Sequence, residues 1–253
     1  MLKKLSILIL MIFPMLLSGK NYYGKTKPEQ YVLGRFNFRK HSLFISAKKA
    51  GIPVKKGRNV YIRKEVAKVL KRVFQDFKKA HPNIRLYITS GTRNYWIQKS
   101  IWNAKWSGRR KVGGGRLPKT HPGPYQRALK ILEYSSMPGT SRHHWGTDVD
   151  FNILINSYFE RGNGKIIFRW MKKNMHKYGF CQTYTSGRKS GYFEEKWHWS
   201  YLPLARKMNR DWNRFYSRNP HKINSGKGFK GSKYKKITKL APIYVNSINE
   251  KCK

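Results

Sequence analysis

Two short runs constrain this chain more than any other feature: Ser141-Arg142-His143-His144-Trp145-Gly146-Thr147-Asp148-Val149-Asp150 and Glu194-Glu195-Lys196-Trp197-His198-Trp199. The chain holds only 11 Asp plus Glu against 55 Lys plus Arg, and four of those acids sit in the two runs with three of the eight histidines. Side chains alternate along a strand, so Asp148 and Asp150 share one face if this stretch is extended. Gly146 supplies a turn ahead of them, through which the chain can bring the His143 ring back towards that face. A strand over 197–201 beside the first adds His198. Glu195, three residues earlier, then reaches the same place. Two imidazoles and a carboxylate suit zinc, which in catalytic sites takes three protein ligands and keeps a fourth position open. A further carboxylate at that position can take a proton from the attacking water and return it to a leaving amine.

The remaining composition sets the frame. At 253 residues, with 39% apolar and 15% aromatic residues, the chain has enough material for one domain with a proper core and extensions. Met1-Leu2-Lys3-Lys4 and the apolar stretch Leu5 to Leu17, ending at Ser18 and Gly19, read as a signal peptide over 1–19. The expected location is therefore outside the cytoplasm, in the periplasm or cell envelope. A formal charge of +44 attracts polyanions. Export directs that attraction to anionic envelope polymers or a membrane surface, and no nucleic acid is expected. The alternative is a solvated basic coat without a specific partner. In an oxidising compartment Cys181 and Cys252 can pair as a disulfide tying the carboxyl-terminal segment to the domain; the alternative is one buried and one terminal thiol.

The pattern along the chain reads as α+β: a small antiparallel sheet carries the motif strands and is flanked by helices in a single domain with terminal extensions. A basic lead segment covers 20–59 and a core domain 60–202. A basic carboxyl-terminal extension over 203–253 packs on the core. Short strands are expected at 60–62, 85–89 and 147–153. Phe180 to Tyr184 and Trp197 to Tyr201 bracket a Gly/Ser-rich turn as a hairpin. Val66, Val69, Leu70, Val73 and Phe77 mark an amphipathic helix over 65–80, stopped by His81-Pro82-Asn83. Further helices are expected through 95–102, over 125–134 and 164–178, around Trp212 and Phe215, and from about 239 to 249. Residues 107–124 read as a long loop, either a lid or an ordinary mobile connection.

Ser141-x-His143-x-x-Gly146-x-x-x-Asp150 followed by Glu195-x-Trp197-His198 resembles the VanY-type zinc D-alanyl-D-alanine carboxypeptidases and dipeptidases. Ser90-Gly91-Thr92-Arg93, with Gln98 downstream, is similar to that family's Ser-Gly-Tyr-Arg-Ser segment, with Thr92 and Asn94 in place of the usual Tyr and Ser. The three motifs span roughly 60–202 in the family's order. The resemblance implies a small α+β domain with one Zn2+ on His143, Asp150 and His198, and Glu195 as the catalytic base. It places Arg93 on a substrate carboxylate or the developing oxyanion, a task suited to a permanently charged fork of donors. Ser141 and Gln98 line the substrate cleft. The implied activity is removal of a terminal D-amino acid from peptidoglycan stem peptides. Endopeptidase or L,D-carboxypeptidase specificity on the same site are alternatives within the enzyme class, and a non-catalytic wall-polymer binder is the alternative outside it. His144 reads as wall packing and Glu194 as a surface acid. Trp145, Trp197 and Trp199 read as core or cleft wall. Asp148 has three open roles: acceptor for a ligand histidine, substrate contact, or carboxylate of the fold.

Overall fold

The computed structural model describes residues 21–224 and 228–253; the leader expected over 1–19 lies outside the described residues. Among these residues no helix is long and apolar enough to cross a membrane. The architecture is α+β. Strands β1 (Phe44–Ser46) and β2 (Tyr61–Arg63) pair antiparallel. A four-stranded antiparallel sheet is ordered β3 (Ile88–Ser90), β4 (Asp148–Phe151), β6 (His198–Tyr201), β5 (Phe180–Gln182). Around them lie helices α1 (Pro28–Val32), α2 (Lys64–Ala80), α3 (Tyr95–Trp106), α4 (Leu117–Thr120), α5 (Pro124–Leu132), α6 (Gly162–Asn174), α7 (Leu202–Arg218), α8 (Lys235–Thr238) and α9 (Ala241–Asn246).

Helix α2 follows its sequence pattern. Val66, Ala67, Leu70, Val73 and Phe77 are buried on one stripe, and each large one contributes about 1.5–3 kcal/mol of apolar burial. Pro82 disfavours helical geometry at His81, where the chain turns away at φ −141°. The alternation in β4 sorts the sheet's faces in the same way. Val149 and Phe151 join the core of α2 and α6 with Ile88, Phe180 and Trp199. Asp148 and Asp150 point to the other face, opposite Ser200 and His198 in the register of β6.

A second core holds Tyr31, Val32 and Phe36 of the lead segment with Trp102, Trp106, Leu132 and Trp145. Trp212, Ile237, Val245 and Ile248 of the carboxyl-terminal segment pack there too. The terminal segments are thus integral to the packing of the domain. Cys181 of β5 is bonded to Cys252 across 71 residues, with Cα atoms 5.7 Å apart, which selects the disulfide over the two free thiols.

Three expectations need correction. The final helix expected from about 239 to 249 is confined to α9, Ala241–Asn246, with α8 ending at Thr238 before it; Pro242 stands in the first turn of α9, where its missing N–H costs nothing. The expected loop at 107–124 contains the single turn α4, with Pro118 in its first turn, where a missing N–H costs nothing. The strand expected over 85–89 is confined to 88–90. A Gly/Lys-rich linker is also expected between the helix around Trp212 and the last helix, and its residues 225–227 lie outside the described residues.

Candidate active site: a metal centre in a polar cleft

Ser141 leads into a 3-10 turn over Arg142–Trp145, closed by Gly146 at φ +73°. A side chain at 146 would be strained in that conformation, and its Cβ would meet the Phe44 ring at 2.4 Å. This turn delivers His143 beside β4. His198 is directly opposite Asp150 in the β4–β6 register. One ligand atom from each of His143, Asp150 and His198 lies within 4.8 Å of the others, and all three residues are buried. The structure therefore brings together the three expected ligands.

The imidazoles are oriented from behind. His143 Nδ1 donates to the Gly91 carbonyl at 2.8 Å, which leaves Nε2 facing Asp150 Oδ2 at 3.3 Å. His198 Nε2 donates to Asp148 Oδ1 at 2.9 Å, which leaves Nδ1 3.0 Å from Asp150 Oδ1. That carboxylate oxygen is buried yet makes no properly directed hydrogen bond. Two aimed imidazole nitrogens and a buried, unsatisfied carboxylate oxygen fit a zinc ion well, because fixing the far nitrogen sets the tautomer that ligates.

Asp148 takes the first of its three open roles. Besides His198 it accepts from Arg142 Nε at 3.1 Å, Ser200 Oγ at 3.0 Å and Thr147 Oγ1 at 2.6 Å. Burial opposes its negative charge, but Arg142 and the His198 bond outweigh this and hold it ionised. Asp150 is likewise kept ionised, with His143 and His198 overcoming burial. Burial and Arg93 push His143 down towards the neutral form. His198 goes the other way: burial disfavours the imidazolium, yet its bonds to Asp148 and Asp150 raise it to about 9. A metal at Nδ1 would replace that proton.

Glu195 stands 3.4 Å from His198 Nδ1 with 16% of its side chain exposed. Burial, with Asp150 adding to it, pushes its carboxyl up to about 7 against the pull of His198. That range suits a group which must take up and release a proton near neutrality. The four residues share a cleft of about 500 Å³ with Arg93, Gln98 and Ser141. Arg93 Nε, Gln98 Oε1 and Ser141 Oγ are buried atoms without a protein partner there, so they offer one donor, one acceptor and one hydroxyl. A larger, shallower hollow of about 1030 Å³ between 49–53 and α2 is lined by no His, Asp or Glu, and so lacks the means for this chemistry.

The neighbouring residues have the bland roles expected of them. His144 is buried, donates from Nδ1 to the Arg93 carbonyl at 2.7 Å and accepts at Nε2 from Gly139 N–H at 3.0 Å. Burial lowers it to about 3, so it braces the turn as a neutral ring. Trp145 is fully buried and donates to the Val32 carbonyl. Glu194 lies 4.0 Å from Lys196 at the cleft edge. Two supports escaped the sequence: the Gly91 carbonyl, which has no side-chain signature, and Tyr184, whose ring lies 4.7 Å from that of His198. Lys105 also escaped, although its seven-residue spacing from Gln98 on a helix puts both on one face.

The sequence model of VanY, D-alanyl-D-alanine carboxypeptidase, matches residues 59–204. The carboxypeptidase-named protein YodJ of Bacillus subtilis is 30% identical over 146 residues, 56% of this chain and 46% of that protein. A D-alanyl-D-alanine carboxypeptidase of Enterococcus faecalis is 32% identical over 81 residues, 31% of this chain and 29% of that protein. The match thus spans less than half the length of either relative. Among solved structures, the LdcB LD-carboxypeptidase has a TM-score of 0.49 at 23% identity, covering 73% of this chain and 80% of its own. A zinc complex of a VanY D,D-pentapeptidase variant has a TM-score of 0.45 at 21% identity, covering 64% and 83%. With the matched segment spanning more than half of its length and all three motifs, the chain belongs to the VanY D-alanyl-D-alanine carboxypeptidase family.

Proposed function

We propose that this chain is an exported zinc peptidase that hydrolyses peptidoglycan stem peptides as a D-alanyl-D-alanine carboxypeptidase. The observation that carries the reading is the convergence of His143 Nε2, Asp150 and His198 Nδ1 beside Glu195 in one cleft. Family membership and the name of the Enterococcus faecalis relative support the substrate class. His143, Asp150 and His198 would hold the ion, which supplies Lewis-acid polarisation and makes water acidic enough to attack near neutral pH. Glu195 accepts a proton from the attacking water and returns it to the leaving amine. Arg93 receives the substrate's terminal carboxylate or the developing oxyanion. Gln98 Oε1 and Ser141 Oγ pair with the substrate backbone, filling hydrogen-bonding capacity that the protein itself leaves open. Export is supported by the basic and apolar start of the chain and by the disulfide, which suits an oxidising compartment. There the +44 charge favours contact with anionic envelope polymers.

Purified full-length protein loaded with zinc should release one D-Ala from stem pentapeptides, as followed by mass spectrometry of muropeptides. Chelation should abolish release, and Glu195→Ala should slow it about 10³-fold. Equal rates of release from wild type and Glu195→Ala would overturn the enzyme reading. Cleavage of crosslinked dimers, or of tetrapeptides alone, would move the activity to an endopeptidase or an L,D-carboxypeptidase.

A further inference from the structure

Helix α3 begins just after Arg93 and turns Gln98, Ile101 and Lys105 towards the cleft. These are positions i, i+3 and i+7 of one helix face, so Gln98 and Lys105 are about 10 Å apart along the axis. Lys105 is buried, with 6% of the residue exposed. Its Nζ donates to Ser135 Oγ at 2.5 Å and lies 5.9 Å from the centre of the Tyr134 ring. The acids of this cleft are otherwise engaged. Glu133 pairs with Lys130 at 2.6 Å, Glu194 is nearest Lys196, and Glu195 faces His198. Among the described residues no carboxylate is in ion-pair range of Lys105.

A buried ammonium without a counter-ion is costly. Burial, then repulsion from Arg110 and Arg93, holds Lys105 down to about 7. Arg110 and Lys111 are exposed at the rim of the same cleft and add further positive charge. Four basic groups and four carboxylates line the cleft. Glu133 and Glu194 lie against lysines, and Asp150 and Glu195 against the histidines, so among the described residues Lys105 is left without a carboxylate of its own.

We propose that Lys105, with Arg110 at the rim, forms a second anion subsite that receives a substrate carboxylate additional to the one held by Arg93. The inference rests on the stem-peptide reading above, and it names the substrate class more narrowly. The ligand is a peptide whose diamino acid carries a free side-chain carboxylate, as diaminopimelate does and lysine does not. Lys105 thereby acts as a specificity-determining residue.

The test uses full-length, zinc-loaded protein carrying Glu195→Ala, so that binding is read with little turnover. Calorimetry compares two synthetic stem pentapeptides ending in D-Ala-D-Ala that differ only in diaminopimelate or lysine at the third position. The diaminopimelate peptide should bind about tenfold tighter, the order expected of one charge-assisted contact. Adding Lys105→Met should bring the ratio of the two Kd values close to one, while Lys105→Arg should keep most of it. Lys105→Gln serves the same purpose if the Met variant does not fold. Equal Kd values in the Glu195→Ala parent, no binding of either peptide, or a ratio untouched by removing the Lys105 charge would each overturn the subsite. Muropeptide digestion by wild type reports separately: no cleavage there with a preserved Kd ratio refutes the peptidase reading and leaves the subsite standing.

Discussion

Residues 59–204 carry every side chain that meets at the candidate metal centre, whereas residues 21–58 and 205–253 carry none of them. The flanks instead hold the turn that aims the ligands. Tyr31 Oη donates to the Trp145 carbonyl, and Trp145 Nε1 donates to the Val32 carbonyl. Tyr95 N–H, at the start of α3, donates to the Gly34 carbonyl at 2.8 Å. Trp212 Nε1 donates to the Gly139 carbonyl at 2.8 Å, just ahead of Ser141. Gly139 in turn fixes His144. One region supplies reactive groups and the other supplies rigidity. A catalytic constellation works only when its supporting shell is fixed to a fraction of an ångström.

That contrast predicts a graded series of effects. Glu195→Ala removes the proton acceptor and should lower kcat about 10³-fold with zinc content unchanged, read by peptide release and metal analysis. In the wild type kcat/KM should fall as pH drops and Glu195 protonates, with a midpoint at or below about 7, since a bound cation lowers it further. An acid limb centred above 8 would contradict this role. Asp148→Asn touches no substrate, but replaces the charged acceptor that orients His198 with a neutral amide. It should weaken zinc affinity about 10–100-fold, measured by chelator competition.

Changes in the flanks should act on stability first. Cys181→Ser with Cys252→Ser should cost on the order of 2–4 kcal/mol in denaturant unfolding, because a long loop is released from its closure. Trp212→Phe keeps an aromatic side chain but removes the indole N–H from the Gly139 carbonyl and some buried volume, and should cost about 1–3 kcal/mol or more. It should also lower kcat modestly with zinc still bound. A loss of stability with kcat untouched would show that the flank does not brace the site.

The metal centre was legible in the sequence because acids are scarce and strands have period 2. His143, Asp150 and His198 stood out against 55 cations, and alternation set the faces. The role of Asp148 was not, since only the observed register places it beside Ser200 and within reach of His198. The Gly91 carbonyl left no trace, because a backbone acceptor has no side-chain identity. Lys105 was hidden for the opposite reason: one lysine among so many offers no contrast. The last helix spans Ala241–Asn246 rather than 239–249, and Pro242 in its first turn is a start signal that the sequence already carries.

The catalytic effects above all depend on one zinc ion held by His143, Asp150 and His198. Anomalous diffraction at the zinc edge, from crystals of the full-length protein, tests it most directly. Zinc-loaded crystals should show a single strong peak in contact with His143 Nε2, a carboxylate oxygen of Asp150 and His198 Nδ1, absent in His143→Ala crystals. A zinc-loaded crystal with no peak there, or with its peak on other residues, would contradict it.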